Sequence, residues 1–216
     1  MPSRYVIRQF EEGAFYHVFN RGVEKRNIFL DEQDYNMFLY YLFVYITPLE
    51  QVLIKYPLLP VRLYNKNLHG KIDLISFCLM PNHFHFLLRQ ESIDGVRKLL
   101  KQITNAYTLY FNNKYQRVGG LVQGRYKAVM IETDELLIHV SRYIHLNPVV
   151  SGLVEKPESY KWSNYLEYLG GFCIINCSID FVLSYFSSKE KYKRFVDNQI
   201  DYAKKLEKIK HLTFDD

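Results

Sequence analysis

Apolar stretches predict four β-strands in the first two thirds of the chain. Residues 14–20 are rich in aromatic and β-branched side chains, and two further apolar runs, 73–80 and 83–88, are separated by Pro81 and Asn82. Pro and Asn favour tight turns, so these two runs predict a β-hairpin. A short run at 127–131 predicts a fourth strand. Because both hairpin strands are apolar on both faces, we expect the hairpin to be central in the sheet and covered by helices.

Helical spacing of apolar residues predicts three helices between and after these strands. They are residues 34–43, behind a candidate N-cap at Asp31, residues 92–114, and residues 134–147, behind a candidate N-cap at Thr133. The last of them is expected to end before Pro148. The order β-α-β-β-α-β predicts an α+β fold, a ferredoxin-like sandwich in which helices pack on a central antiparallel sheet.

Two regions fall outside this pattern. Residues 48–70 contain three prolines and are interpreted as an irregular insertion, with a short strand suggested at 61–64. From residue 178 the sequence predicts two or three further helices. We therefore divide the chain into a main domain, 1–170, and a helical C-terminal extension, 171–216.

Composition narrows the class of protein. The chain has 216 residues, 48% of them hydrophobic, with a net charge of +5 that permits a nucleic-acid partner. Three cysteines without framework spacing, Cys78, Cys173 and Cys177, indicate a reducing compartment, and the last two are interpreted as structural. Since no signal peptide or membrane-spanning run is visible, we expect a cytoplasmic protein with no membrane partner.

The positive charge is concentrated between residues 97 and 127, a segment without Asp or Glu. Cations beside aromatic residues are typical of single-stranded nucleic-acid sites. An alternative is that the aromatic residues belong to the core and the charged residues to a solvated face. Lys114 is a further positive charge in this segment. With Arg21 from an Asn-Arg-Gly turn, the candidate DNA-binding residues are Arg21, Arg97, Lys98, Lys101, Arg117, Arg125 and Lys127.

The histidine pair of the second hairpin strand is the first candidate for chemistry. His83 and His85 are two residues apart, so in a strand their rings share one face and could bind one cation. The alternative is a half-buried strand with two hydrogen-bonded histidines. A divalent cation such as Mn²⁺ or Mg²⁺ fits mixed nitrogen and oxygen ligands with open positions, although two histidines could also bind zinc.

A tyrosine and an asparagine on the last predicted helix complete the candidate site. Tyr143 and Asn147 are four residues apart and share a helix face with Leu136 and Val140, which we expect to anchor that face to the sheet. The Asn147 oxygen could then join the histidines as a ligand. A phenol, with an ordinary pKa near 10, becomes a useful nucleophile toward a phosphodiester when a cation polarises the phosphate.

Taken together, four sequence motifs resemble the single-tyrosine HUH transposases, in particular the REP-associated tyrosine transposases. The motifs are Tyr16-His17-Val18-Phe19-Asn20-Arg21-Gly22, Met80-Pro81-Asn82-His83-Phe84-His85, Gln123-Gly124-Arg125-Tyr126-Lys127 and Tyr143-Ile144-His145-Leu146-Asn147-Pro148-Val149. The resemblance covers about residues 14–168. It does not extend to the tail, and the insertion at 48–70 looks longer than is usual in the family.

This resemblance implies a ferredoxin-like nuclease that binds a divalent metal, Mg or Mn, through His83 and His85. It implies a 5′-phosphotyrosine intermediate on single-stranded or hairpin DNA, with Tyr143 as the nucleophile and Asn147 on the metal side. It also implies a homodimer in many members. Within this class, a mobile transposase and a domesticated processor of repeat hairpins look alike from one sequence.

Two functions from other classes remain alternatives at this stage. One is a nucleic-acid-binding regulator without catalytic activity; the presence of His83, His85, Tyr143 and Asn147 argues against it. The other is an unrelated metal hydrolase that uses the two histidines without a covalent step. A denaturation-resistant protein–DNA adduct would separate the strand transferase from both.

Overall fold

A computed structural model describes residues 10–172 and 175–204. Cys173 and the predicted segments at 1–9 and 205–216 lie outside the described residues. The strands are β1 (Phe15–Arg21), β2 (Ile72–Met80), β3 (His83–Gln90) and β4 (Lys127–Ile131). The helices are α1 (Glu32–Ile46), α2 (Leu49–Lys55), α3 (Val61–Tyr64), α4 (Gly95–Lys114), α5 (Asp134–Val150), α6 (Tyr165–Tyr168), α7 (Asp180–Leu183) and α8 (Lys189–Asp197).

The four strands form one antiparallel sheet in the order β2-β3-β1-β4. This order and the β-α-β-β-α-β connection confirm the predicted ferredoxin-like α+β sandwich. Alternation along β1 and β3 divides their side chains between two layers. Tyr16, Val18, Phe84 and Phe86 are buried with α1 and α4, in the larger hydrophobic cluster. The opposite face is covered in part by α5.

The predicted central position of the hairpin is wrong for one of its strands. β3 is central, whereas β2 is an outer strand. Its outer edge is nevertheless covered, because Leu79 N donates to the Trp162 carbonyl and Asn164 N donates to the Phe77 carbonyl. The Asn164 side chain also accepts a hydrogen bond from Phe77 N at 2.9 Å. The two faces of β2 are buried separately, one in each hydrophobic cluster, which is why this outer strand is apolar on both faces.

Local sequence accounts for most helix boundaries, with three corrections. Asp31 caps α1 in a reciprocal capping box with Asp34, and Thr133 caps α5, as predicted. Residues 61–64 form the short helix α3, not a strand. The insertion at 48–70 is therefore partly helical. Helix α5 does not end before Pro148 but continues to Val150, because burial of Pro148 and Val149 outweighs the single hydrogen bond that proline removes.

The described part of the C-terminal region packs onto the main sheet through α5. Tyr192 of α8 is fully buried in the second hydrophobic cluster, where its hydroxyl is 3.1 Å from Ser141 Oγ and 2.8 Å from His145 Nδ1. His145, which the sequence argument left out of the site, is thus a buried structural residue. The boundary near residue 170 stays a prediction. Within residues 10–172 and 175–204, no helix is long and apolar enough to span a membrane.

Candidate active site

The face of the sheet that α5 partly covers carries three histidines at one end. In the antiparallel register Phe19 lies opposite His85, and Arg21 lies opposite His83. His17 is two residues from Phe19 and therefore shares their face. The His83 and His85 rings are 4.9 Å apart between centroids and perpendicular, as expected for neighbours on one side of a strand. The chain thus places the predicted histidine pair beside a third histidine that the sequence argument did not select.

Helix α5 brings Tyr143 over this histidine cluster. The Tyr143 ring centroid is 5.5 Å from that of His85 and 5.8 Å from that of His17, and the side chain is 49% exposed. Leu136 does not anchor the helix as predicted, because its side chain is 40% exposed. Of the two predicted anchors, only Val140 packs partly against the core. The helix is fixed instead by Leu137 and Ile144, which are buried. Because Tyr143 directly precedes Ile144, it sits at the edge of the buried face and not at its centre.

Asn147 lies one helical turn beyond Tyr143 and is oriented by it. Its Nδ2 donates to the Tyr143 carbonyl at 2.8 Å, so its Oδ1 is left as an acceptor. The Asn147 side chain lies near the His83 imidazole and raises its pKa, against the larger lowering by burial. Asn147 therefore borders His83 with an amide oxygen that has no bond within α5 to satisfy.

A chain of hydrogen bonds behind His83 fixes its tautomer. Asn82 Nδ2 donates to the Lys25 carbonyl at 3.2 Å, which leaves Asn82 Oδ1 as the acceptor for His83 Nδ1 at 2.6 Å. His83 must then carry its proton on Nδ1, and its Nε2 keeps a lone pair. Lys25 has a left-handed backbone, with φ of 60°, and it follows Glu24, with φ of 55°. Two consecutive non-glycine residues in this region are strained, and the turn delivers the carbonyl that holds Asn82.

The Asn-Arg-Gly turn after β1 requires a glycine at position 22. A Cβ at this position would lie 2.2 Å from the Arg26 carbonyl oxygen. The close approach lets Gly22 N donate to the Asn82 carbonyl at 2.8 Å, which ties the turn after β1 to the turn before β3. Both turns that border the histidines are therefore locked together.

All three histidines on this face are neutral at pH 7. Burial lowers the pKa of His17 to about 4. Burial, with the nearby Arg21 charge, lowers the pKa of His83 to about 4 against the opposing effect of Asn147. Burial and the two neighbouring histidines lower the pKa of His85 well below its usual value. Neutral imidazoles keep the lone pair that a metal ion requires.

The donor chemistry fits a divalent cation held by two histidines and one amide. Across the described ranges, no group of three or more His, Cys, Asp or Glu side chains is arranged to hold a metal ion. A cation at this place would therefore use nitrogen from His83 and His85 and an oxygen such as Asn147 Oδ1. This set leaves coordination positions open and matches Mg²⁺ or Mn²⁺ better than a closed structural zinc site.

A cavity of about 370 Å³ opens beside these residues. His83, Tyr143 and Asn147 form part of its wall, and Gln199, Tyr202 and Ala203 of the C-terminal region form another part. Arg142 also borders it and is held by Phe195, with its Nη1 3.3 Å from the Phe195 carbonyl. The C-terminal region therefore contributes directly to the surroundings of Tyr143, which the sequence argument did not predict.

The predicted DNA-binding cations divide into three sets, and those of the first set have partners nearby in sequence. Lys98 is paired with Asp94 at 2.6 Å, and Arg117 donates to Asn112 Oδ1 at 2.9 Å. Lys114, which the charge count included, bridges Asp31 at 2.7 Å and the fully buried Asp34 at 2.8 Å. Lys114 therefore joins α4 to the start of α1.

The second set borders a separate cavity. Arg97, Lys101 and Arg125 line about 250 Å³ of space between α4 and the loop before β4, together with the amide side chains of Asn20 and Asn105. Arg97 also lies 3.9 Å from Asp94. Three cationic and two amide side chains around one cavity form a suitable environment for an anion.

Arg21 and Lys127 lie on the histidine face. Arg21 Nε donates to Gln123 Oε1 at 2.6 Å, and Lys127 Nζ lies 5.9 Å from the centroid of the Phe19 ring. Since Phe19 pairs with His85 on one side and with Lys127 on the other, a row of side chains leads from the histidines to the basic edge of the sheet.

The fold and these side chains define a class: a ferredoxin-like sandwich with a histidine pair on the sheet and a tyrosine on a covering helix. Residues 62–147, which include His83, His85, Tyr143 and Asn147, match the family model of IS200-like transposases. A curated protein of Haemophilus influenzae, provisionally described as a REP-associated tyrosine transposase, is 26% identical over 107 residues. That match spans 45% of this chain and 61% of the relative.

A solved structure described as a REP-associated tyrosine transposase bound to a REP hairpin has a similar fold. Its TM-score is 0.51 at 15% sequence identity, and the match covers 82% of this chain and 96% of that chain. The resemblance to the single-tyrosine transposases is therefore confirmed as a resemblance: residues 62–147 match the IS200-like family model, the Haemophilus influenzae protein is similar in sequence, and the solved structure is similar in fold.

Proposed function

We propose that this protein is a metal-dependent single-stranded DNA endonuclease and strand transferase that acts on repeat hairpins or in transposition. The observation that carries the proposal is the position of Tyr143. Its half-exposed side chain lies within 5.5 Å of the His85 ring, on the same sheet face as His83. A phenol that is both accessible and adjacent to two neutral imidazoles is placed to attack a phosphate bound there.

In this proposal, Tyr143 Oη attacks the phosphorus of the scissile phosphodiester. The bond from phosphorus to the 3′ oxygen breaks, and the released deoxyribose keeps a 3′ hydroxyl after taking up a proton. The DNA 5′ end remains on the enzyme as a phosphotyrosine, while the phenolic proton passes to solvent. The energy of the phosphodiester is preserved, so a new 3′ hydroxyl can displace Tyr143 and rejoin the strand.

The two histidines and Asn147 would hold the divalent cation, Mg²⁺ or Mn²⁺. When bound, this ion would polarise a phosphate oxygen and stabilise negative charge that develops at phosphorus. The hydrogen bond that His83 Nδ1 donates to Asn82 Oδ1 keeps His83 Nε2 available as a ligand. The bond that Asn147 Nδ2 donates to the Tyr143 carbonyl keeps the amide oxygen available, and it also links the position of the proposed nucleophile to that of a proposed ligand.

Contacts to DNA are assigned to the two groups of cations that border open surfaces. Arg21 and Lys127, beside the histidines, would contact backbone phosphates near the scissile bond. Arg97, Lys101 and Arg125 would contact phosphates at the second cavity. Lys98 and Arg117, which have partners within their own region, would contribute less. The similar solved structure, described as bound to a REP hairpin, supports hairpin DNA as the substrate.

The proposal is tested by incubating the protein with labelled hairpin DNA that has single-stranded flanks, in Mn²⁺ or Mg²⁺. We expect a denaturation-resistant adduct that maps to Tyr143 by mass spectrometry. Tyr143→Phe removes one oxygen atom and should abolish the adduct while hairpin binding persists. His83→Ala should abolish cleavage but retain most binding, because binding depends on the cationic surface.

Two controls complete this test. Chelation of the divalent ion should prevent adduct formation by the wild-type protein, and Tyr126→Phe should leave it intact. Hairpin binding by the wild-type protein without cleavage in either metal would favour the inactive regulator instead. DNA attached to a different tyrosine, or an adduct formed by Tyr143→Phe, would refute the assignment of the nucleophile.

A further inference from the structure

His17 is the histidine on this face for which the proposed reaction has no direct role. It lies on β1, outside the segment that matches the family model, and its Nε2 is 2.9 Å from His85 Nδ1. The two rings are stacked, with centroids 5.1 Å apart and planes inclined by 19°. A hydrogen bond between two histidine rings has a direction, because one ring must donate and the other must accept.

The direction of this bond decides whether His85 can bind a cation. If His85 Nδ1 carries the proton and donates to His17, then His85 Nε2 keeps a lone pair. If His17 Nε2 donates, neutral His85 carries its proton on Nε2 and cannot ligate through that atom. His83 meets the same requirement through Asn82, whose oxygen can only accept. Thus both histidines have their Nδ1 atoms occupied by a neighbouring side chain.

We propose that His17 is a positioning residue that accepts the proton of His85 Nδ1 and so fixes His85 in the tautomer with a free Nε2. Its role on β1 is the counterpart of the role of Asn82 beside His83. Acting through His85, His17 would not itself be a ligand. This agrees with the finding that the described residues hold no group of three His, Cys, Asp or Glu side chains arranged for one metal ion. Supporting residues of this kind change metal affinity by about 10–100-fold.

This inference rests on the proposed metal-dependent function, but two variants of one position test it separately. His17→Phe keeps an aromatic ring next to His85 and removes the acceptor. His17→Gln replaces the ring but can place its Oε1 near the position of the His17 Nε2 atom. A merely structural role would favour Phe over Gln, whereas the proposed acceptor role favours Gln over Phe.

The first measurement is the affinity for Mn²⁺ alone, by calorimetry or electron paramagnetic resonance. We expect His17→Phe to weaken binding by about tenfold or more and His17→Gln to stay within about threefold of wild type. Phe15→Leu, on the same face of β1 but packed on Phe181 and outside this hydrogen bond, serves as the control and should bind Mn²⁺ like wild type. Equal affinity for wild type and His17→Phe, or equal loss in both His17 variants, would overturn the proposal.

The second measurement needs no metal. Imidazole nitrogen chemical shifts of His85, from ¹⁵N NMR, report which nitrogen carries the proton. We expect the Nδ1–H form in the wild type and in His17→Gln, and a shift toward the Nε2–H form in His17→Phe. An Nε2–H His85 in the wild-type protein would refute the role of His17. A wild-type protein that shows the expected tautomer but binds no Mn²⁺ would refute the metal-dependent function and leave the role of His17 in place.

Discussion

The contrast between Lys114 and Arg125 provides a quantitative test of how the positive charge is used. Both lie in the basic segment 97–127, and a count of charges treats them alike. Burial alone would lower the pKa of Lys114, but its contacts with Asp31 and Asp34 reverse this effect and raise it. Arg125 is exposed and borders the cationic cavity. We therefore expect Lys114→Gln to affect stability and Arg125→Gln to affect DNA binding.

The magnitudes follow from the contacts. The Asp34 carboxylate is fully buried and would retain the hydroxyls of Tyr110 at 3.0 Å and Tyr115 at 2.8 Å after Lys114 is replaced. The loss is then one charge-assisted contact to a buried carboxylate, worth about 2 kcal/mol. In a domain of this size, such a loss lowers Tm by about 4–8 °C.

Each phosphate contact with single-stranded DNA contributes about 0.7 to the slope of log K against log salt concentration.

The assay is hairpin binding between 50 and 200 mM salt, with thermal unfolding measured on the same samples. Arg125→Gln should reduce the slope by about 0.7. Between 50 and 200 mM salt, the variant should therefore lose about threefold less affinity than the wild type loses, and its Tm should be nearly unchanged. Lys114→Gln should lower Tm and keep the wild-type slope. A Lys114→Gln protein with normal Tm and a reduced slope would refute the division of the cations into structural and DNA-binding sets.

Two further predictions concern tyrosines outside the site. Within the described residues the Tyr126 hydroxyl is buried and makes no hydrogen bond of normal geometry, so Tyr126→Phe should leave Tm unchanged or raise it by a few degrees, and adduct formation should be normal; a clear loss of stability would contradict this. Tyr192→Phe removes the hydroxyl shared with Ser141 and His145, so thermal unfolding should show a loss of about 1–3 kcal/mol, and unchanged stability would contradict the structural role of this contact.

Local patterns were sufficient for the strands and for the capped helices. Alternation and apolar runs predicted β4 with the bounds that the structure shows, and Asp31 and Thr133 were predicted as N-caps because their side chains act within a few residues. The position of β2 could not be predicted in this way. An outer strand covered by residues 162–164 and a central strand have the same apolar pattern, since both are buried on both faces.

The wrong prediction of Leu136 as a buried anchor of α5 has a similar origin. Leu136 and Leu137 are adjacent, and helical spacing from Tyr143 selected the wrong one because Tyr143 lies at the edge of the buried face. Ion pairs between distant segments were also invisible to a local charge count. Lys114, at the end of α4, meets Asp31 and Asp34 at the start of α1, which lie 83 and 80 positions earlier in the sequence.

The supporting residues of the site could not have been chosen from their own spacing. His83 and His85 are recognisable as a pair, but His17 is a lone histidine in an aromatic strand, and Asn82 resembles an ordinary turn residue. The sheet register gives them their significance, because β1 is hydrogen-bonded to β3 and places His17 beside His85. The signal available in sequence was the shared alternation: His17 and Phe19 occupy the same face of β1 that His83 and His85 occupy on β3.

This arrangement also explains why the site needs segments from both sides of the insertion at 48–70. The part of the chain that matches the family model, residues 62–147, supplies the histidine pair, Tyr143 and Asn147. The groups that hold the histidines come from earlier in the chain: His17 from β1 and the Lys25 carbonyl from the strained turn after it. Substitutions in that turn, far from Tyr143 in sequence, are therefore expected to change the orientation of His83 before they change the fold, because Asn82 transmits the position of the Lys25 carbonyl to the ring.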